Sequence, residues 1–233
     1  MTTHSENPLI ALVSAVPAAI PPAQNAFTEM FPSARVWNIL DDQLLQDAGA
    51  AGGVTPELAD RMKRLIRHAV TEGADGILLT CSMYGPVAHD IASELNIPIL
   101  APDDAVFAAA LTGGWDTILL IASAAGPLAD SEERLTAAAA DAGVALDIVG
   151  VVADGAAQAA VSGDLDGLVS ALHAAVVRAD TTPDAILLGQ YSIAPAADRL
   201  TELTGIPVLT GPQRAATALH SALNPPSAER ETP

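Results

Sequence analysis

Apolar and polar positions along the chain fall into blocks. Short aliphatic runs such as LIALVS at 9–14, GILL at 76–79, TILLIA at 117–122 and AILL at 185–188 alternate with longer stretches whose apolar residues recur at helical spacing. Short continuous apolar runs bounded by turn formers read as strands covered on both faces, the pattern of a parallel sheet between helices. In the first half this predicts strands over 9–14, 36–40, 76–80 and 97–100, and helices over 21–30, 56–72, 85–95 and 102–111. The 56–72 helix has the clearest boundaries: Thr55 as cap, Pro56 in the first turn and Gly73 as the stop. In the second half it predicts strands over 117–121, 146–151, 185–188 and 207–209, with helices over 127–142, 164–179, 194–204 and 212–223. The break TGGW at 112–115 divides the chain into lobes 1–111 and 112–223, and the polar, Pro-rich tail 224–233 is expected to fray.

The two halves are copies. GILLTCSMYGPVAHDIASELNIPIL at 76–100 aligns without a gap on AILLGQYSIAPAADRLTELTGIPVL at 185–209, a constant offset of 109 residues that sets Cys81 on Gln190. ILL falls on ILL, Pro86 on Pro195 and IPIL on IPVL; LIALVSA at 9–15 echoes TILLIAS at 117–123 more weakly. Two long repeats mean duplication of an α/β unit rather than a solenoid, which needs shorter periods and more copies. Strand–helix alternation implies parallel sheets with right-handed crossovers, and such sheets bind ligands beyond the carboxyl ends of their strands. Two equivalent lobes are expected to turn those ends toward one cleft.

Composition narrows the chemistry. The 233 residues are half hydrophobic but only 3% aromatic, and 28 acidic against 10 basic residues give a net charge of −18. Nucleic acid and anionic membrane surfaces call for clustered Lys and Arg, so both are excluded as partners. Lys63 is the one lysine, a poor basis for Schiff-base chemistry. One cysteine excludes an internal disulfide framework and a Cys-rich zinc site. No stretch of about 18 apolar residues suggests a membrane span, and the acidic, Pro-containing start does not read as a signal peptide. A cytoplasmic protein is expected. GxGxxG, P-loop, GxSxG and HExxH patterns are missing, which leaves Cys81 with little competition as the reactive group.

What remains sits at the strand ends. Cys81 and Ser82 follow ILLT directly and precede a helix, whose free N–H groups favour thiolate. A lone cysteine in apolar surroundings is otherwise a small buried hydrophobe; the strand-end position is what argues for chemistry. Gln190, Tyr191 and Ser192 occupy the matching turn, and Gln190 can donate or accept hydrogen bonds but cannot carry a proton to carbon. Ser14 and Ser123 end the first strand of each half. The small-residue turn after Ser123 offers N–H groups to a carboxylate, although a serine there also serves as an ordinary cap. The loop AVPAAIPP at 15–22, with Pro17, reads as a stiff cleft wall or as a helix start. Asp41 and Asp42 lack metal-ligand spacing, His68 reads as surface, and His89 lies two turns down the helix from Cys81. Arg214 is the one basic residue near a late strand end.

The repeat, the ILLTCS run at 77–82 and the IP-strand after each repeated helix resemble the aspartate/glutamate/hydantoin racemase superfamily, which includes maleate isomerases and arylmalonate decarboxylases, over about residues 8–223. The resemblance implies an α/β protein of two pseudo-twofold-related lobes, each a parallel four-stranded sheet flanked by helices, with a cofactor-independent site between them. It also implies a small carboxylic acid substrate and a possible homodimer or higher homo-oligomer. The family's racemases use one cysteine from each lobe, on opposite faces of the α-carbon. Cys81 matches the first, while Gln190 stands at the second. By resemblance Cys81 is the catalytic proton carrier or nucleophile, and Ser82, Ser123, Gln190, Tyr191 and Ser192 line the carboxylate pocket; Ser14 and Pro17 join them as substrate-binding candidates from their strand-end and loop positions. Three readings follow: a racemase or isomerase acting at an α-carbon, a carbon–carbon lyase with Cys81 as single proton donor, and a non-catalytic scaffold that binds a small acid.

Overall fold

The computed structural model describes residues 7–225. Its first half contains strands β1 (Leu9–Ser14), β2 (Arg35–Leu40), β3 (Gly76–Leu79) and β4 (Ile99–Leu100). The helices of that half are α1 (Ile20–Met30), α2 (Leu44–Ala51), α3 (Pro56–Thr71), α4 (Gly85–Ala92) and α5 (Asp104–Thr112). The second half repeats the order with β5 (Thr117–Ala122), β6 (Asp147–Val152), β7 (Ala185–Leu188) and β8 (Val208–Leu209). Its helices are α6 (Ala125–Ala142), α7 (Ala156–Ser162), α8 (Leu165–Arg178), α9 (Ala197–Thr204) and α10 (Gly211–Leu223). All pairings are parallel, and the sheets run β2-β1-β3-β4 and β6-β5-β7-β8, the same order twice.

The predicted alternation is correct in order but incomplete. Two helices, α2 and α7, follow the edge strands where loops were expected. Both are short and Ala-rich, and both stop at a left-handed glycine, Gly52 and Gly163. The strand expected at 97–100 shortens to two residues, and the helix expected over 85–95 ends at Ala92. Thr55 caps α3 as anticipated, accepting the Leu58 N–H at 3.4 Å. The tail residues 226–233 lie outside the described part.

Each strand splits its side chains between two cores, as a pleated strand must. Ala11 and Val13 of β1 and Ile77 and Leu79 of β3 pack against α2, α3 and α4 through Leu44, Met62, Ile66 and Ile91. The alternate residues Ile10, Leu12 and Leu78 face α1 and, from the other half, Ala215, Ala216 and Leu219 of α10. The exchange is reciprocal: Val106, Phe107 and Ala110 of α5 pack on Ile118, Leu120 and Leu187 of the second sheet. Each half's last helix thus closes the core of the other. Close approach at this junction requires Gly211, where a Cβ would fall 2.7 Å from the Tyr191 ring and 3.0 Å from the Pro102 carbonyl oxygen.

Candidate active site

The duplicated strand β3/β7 positions the site. After Leu79 the chain stays extended through Cys81, then tightens into a 3-10 turn at Ser82–Tyr84 that runs into α4. After Leu188 it stays extended through Gln190 and turns likewise over Tyr191–Ala196 into α9. Cys81 and Gln190 therefore leave equivalent strand ends, and both line one cavity between the halves. Leu45 and Met83 add an apolar wall from the first half, Pro127 and Ser192 a wall from the second. The cavity holds about 30 Å³, room for a water molecule but not for a carboxylic acid. Admitting a substrate requires its walls to part.

Cys81 is buried and reduced. The expected stabilisation of thiolate is present: the backbone N–H groups of Met83 and Tyr84 point at the sulfur and lower its pKa. It is outweighed. Burial in an apolar pocket, with the nearby Asp103 and Asp130 charges adding to it, pushes the thiol up to about 11. The resting side chain is a neutral thiol, a correction to the thiolate expected from position alone.

Beneath the Cys81 turn runs a polar string that ties the halves together. The Ser82 hydroxyl lies 3.2 Å from the Gly189 carbonyl oxygen and 3.3 Å from Asp103 Oδ1. Asp103, 3% exposed between β4 and α5, meets Arg134 of α6 at 2.6 Å. Arg134 also pairs with Asp130 at 2.9 Å, and its guanidinium covers the Phe107 ring. Burial raises the Asp103 pKa, while Arg134 and then the Ser82 hydroxyl pull it down. Sequence reasoning missed Asp103 and Arg134. The one available signal was an aspartate shortly after the predicted strand at 97–100, the same kind of position that drew attention to Cys81.

Other candidates are distributed unevenly. Ser82, Gln190, Tyr191 and Ser192 line the cavity with Cys81, whereas Ser14, Ser123 and Pro17 do not. The Gln190 side-chain oxygen accepts the Ser123 backbone N–H at 2.7 Å, occupying the donor assigned to a substrate carboxylate. Tyr191 turns its hydroxyl to the Pro102 carbonyl at 3.3 Å, and burial holds its pKa well above the ordinary value. The Ser14 hydroxyl accepts from Thr80 at 2.8 Å, a buried clip between the ends of β1 and β3. Pro17 lines a larger groove beside the cavity. Asp41 is clamped by Arg61 at 2.6 Å, His68 stacks edge-on against Trp37, and His89 meets the exposed Asp104 at 2.9 Å. Arg214 donates to the Thr210 carbonyl, away from the cavity. Among the described residues no group of three or more His, Cys, Asp or Glu side chains is placed to hold a metal ion, and no helix is long and apolar enough to cross a membrane.

The model of the Asp/Glu/Hydantoin racemase family matches residues 43–219, about three quarters of the chain. The chain belongs to this family. Solved racemases share its architecture. The aspartate racemase of Picrophilus torridus aligns with a TM-score of 0.70 at 14% identity, covering 93% of this chain and 94% of that one. An allantoin racemase from Klebsiella pneumoniae aligns at 0.67 and 17% identity, over 92% and 87% of the two chains. Glutamate racemase from Francisella tularensis, solved with D-glutamate, aligns at 0.71 and 14% identity, over 94% and 82%. No curated protein sequence matches. Membership places this racemase-family chain among enzymes of the racemase/isomerase type. The identities, all below one fifth, carry the fold and not the substrate.

Proposed function

We propose that this racemase-family enzyme moves a proton at the α-carbon of a small carboxylic acid, with Cys81 as its acid–base group on one face and no proton-carrying side chain on the other. The observation behind this reading is the facing pair: Cys81 and Gln190 line one cavity from equivalent strand ends. A thiol can give a proton to carbon and, as thiolate, take one back; a carboxamide can do neither. A substrate carboxylate takes the Ser123 N–H from Gln190 and gains backbone donors at the second turn. These donors stabilise the enediolate that forms when the α-proton leaves. Proton return from Cys81 restores the original configuration or, across a double bond, moves the proton along the same face. Inversion requires the opposite-face proton to come from water.

The same two features favour a second reading, a carbon–carbon lyase. Loss of CO2 from a geminal diacid leaves an enediolate, the Cys81 S–H bond supplies the proton to carbon, and water reprotonates the thiolate. The test is incubation in D2O with a panel of α-substituted acids and their geminal diacids, followed by proton NMR and chiral chromatography. Deuterium entering the α-position with retained configuration supports the isomerase reading. Consumption of the diacid supports the lyase. Full racemization at the rate of exchange overturns the one-face assignment.

A further inference from the structure

The cavity at Cys81 is too small for a substrate, but a far larger space adjoins it. A groove of about 500 Å³ runs between the proline-rich segment at 16–22, the turn from α7 into α8, and residues 192–195. Val16 and Ser192 line both the groove and the cavity, which makes the two spaces neighbours. The volume suits a small-molecule site, and so does the lining, mostly apolar with a few polar atoms. Pro17, Pro21 and Pro22 form one wall with backbone angles fixed by their rings, which limits the ordering cost of binding. Opposite stand Val161 and Leu165, 71% and 40% exposed, large apolar side chains left facing water.

Charge in the two spaces is equally telling. Neither the groove nor the cavity is lined by a lysine, arginine or histidine. The one charged side chain on the groove wall, Asp164, is turned to the Gly167 N–H at 2.9 Å as a helix cap. A second substrate carboxylate placed here would meet no cation and one fixed negative charge. An uncharged apolar group would cover Val161, Leu165 and the prolines.

We propose that the groove holds the apolar substituent of the substrate, which makes the enzyme selective for monocarboxylic acids carrying an aryl or branched-alkyl group on the α-carbon and not for acidic dicarboxylates. The inference rests on the assignment of the carboxylate end to the Cys81 cavity. In it the ligand enters through the groove, parts Val16 from Ser192, and presents its α-carbon to the thiol.

Binding tests it without requiring turnover. Acetate, phenylacetate and succinate are titrated into the full chain by calorimetry or NMR. Phenylacetate is expected to bind at least tenfold tighter than acetate, and succinate no tighter than acetate. Leu165→Asp, which puts a carboxylate at the favourable N-terminal end of a helix, and Val161→Asp at the most exposed wall position, are each expected to erase most of the phenylacetate preference. Circular dichroism checks that both variants fold. Equal affinity for phenylacetate and acetate, tighter binding of succinate, or equal losses for both monoacids in the variants overturn the inference. Selective phenylacetate binding without α-proton exchange by any acid overturns the reaction proposed above and leaves the groove standing. Exchange on acids without an apolar preference does the reverse.

Discussion

The turns after β3 and β7 descend from one sequence and have diverged in chemistry while keeping their path. Both leave a four-residue buried strand, stay extended for two residues and tighten into a 3-10 turn ahead of a helix. At Cys81 the first turn presents a titratable atom, held neutral by burial although two N–H groups favour its charge. At Gln190 the second presents a carboxamide that folds back to take the Ser123 N–H. One turn carries a thiol, and the other carries a carboxamide that fills a hydrogen-bond site. Backbone geometry at a duplicated strand end is set by the sheet, so it outlives the chemistry hung on it.

Four experiments break or sharpen this contrast. Cys81→Ala removes the only proton carrier assigned to the site and should lower α-proton exchange on the order of 10³-fold, within the range of a single acid–base group; deuterium incorporation measures it. Arg134→Met strands the buried Asp103 charge beneath both turns and is expected to cost about 3 kcal/mol in urea unfolding at neutral pH. Asp103 already has a raised pKa, which climbs further without Arg134. Its protonated form is therefore favoured in the folded state, so the variant is relatively most stable below the ordinary carboxylate pKa and loses stability as pH rises through the raised value. Asp103→Asn should be far milder.

The Cys81 thiol itself should alkylate with iodoacetamide about 10² times more slowly than free cysteine at neutral pH. Its rate should climb with pH until about 11, where the thiol ionises. A plateau near 8 means that the N–H groups outweigh burial after all. Gln190→Cys makes the smallest change in stability, about 1 kcal/mol from the lost bond to Ser123, read as a shift in melting temperature. Its qualitative effect is sharper: a thiol on each face should convert exchange with retention into racemization, followed by chiral chromatography.

Much of this was legible in the sequence because it is carried by local signals. Buried strands are continuous aliphatic runs, and the repeat by itself pairs Cys81 with Gln190. The short helices α2 and α7 were not legible, since Ala-rich stretches stopped by glycine, Gly52 and Gly53 after α2 and Gly163 after α7, read equally as loops. The Ser82–Asp103–Arg134 string was hidden for a different reason. Its members come from three elements and two halves, and no spacing rule connects residues that meet only after the halves dock. The protonation state of Cys81 was misjudged because a strand-end position reveals nearby N–H donors but not the depth of burial.

The reciprocal placement of α5 and α10 bears on how such a chain can arise and be divided. A single repeat with these contacts leaves one face of its sheet only partly covered and its own last helix without a core to cover. Such a half-length polypeptide is complete only as an intertwined pair, each copy lending its final helix to the other. Fusing the two copies end to end turns that exchange into an intramolecular one. It also frees each copy to mutate alone, the condition under which one strand end can carry a cysteine and its twin a glutamine. Cutting the chain in the 112–115 break should therefore yield two fragments that are insoluble apart and recombine when mixed.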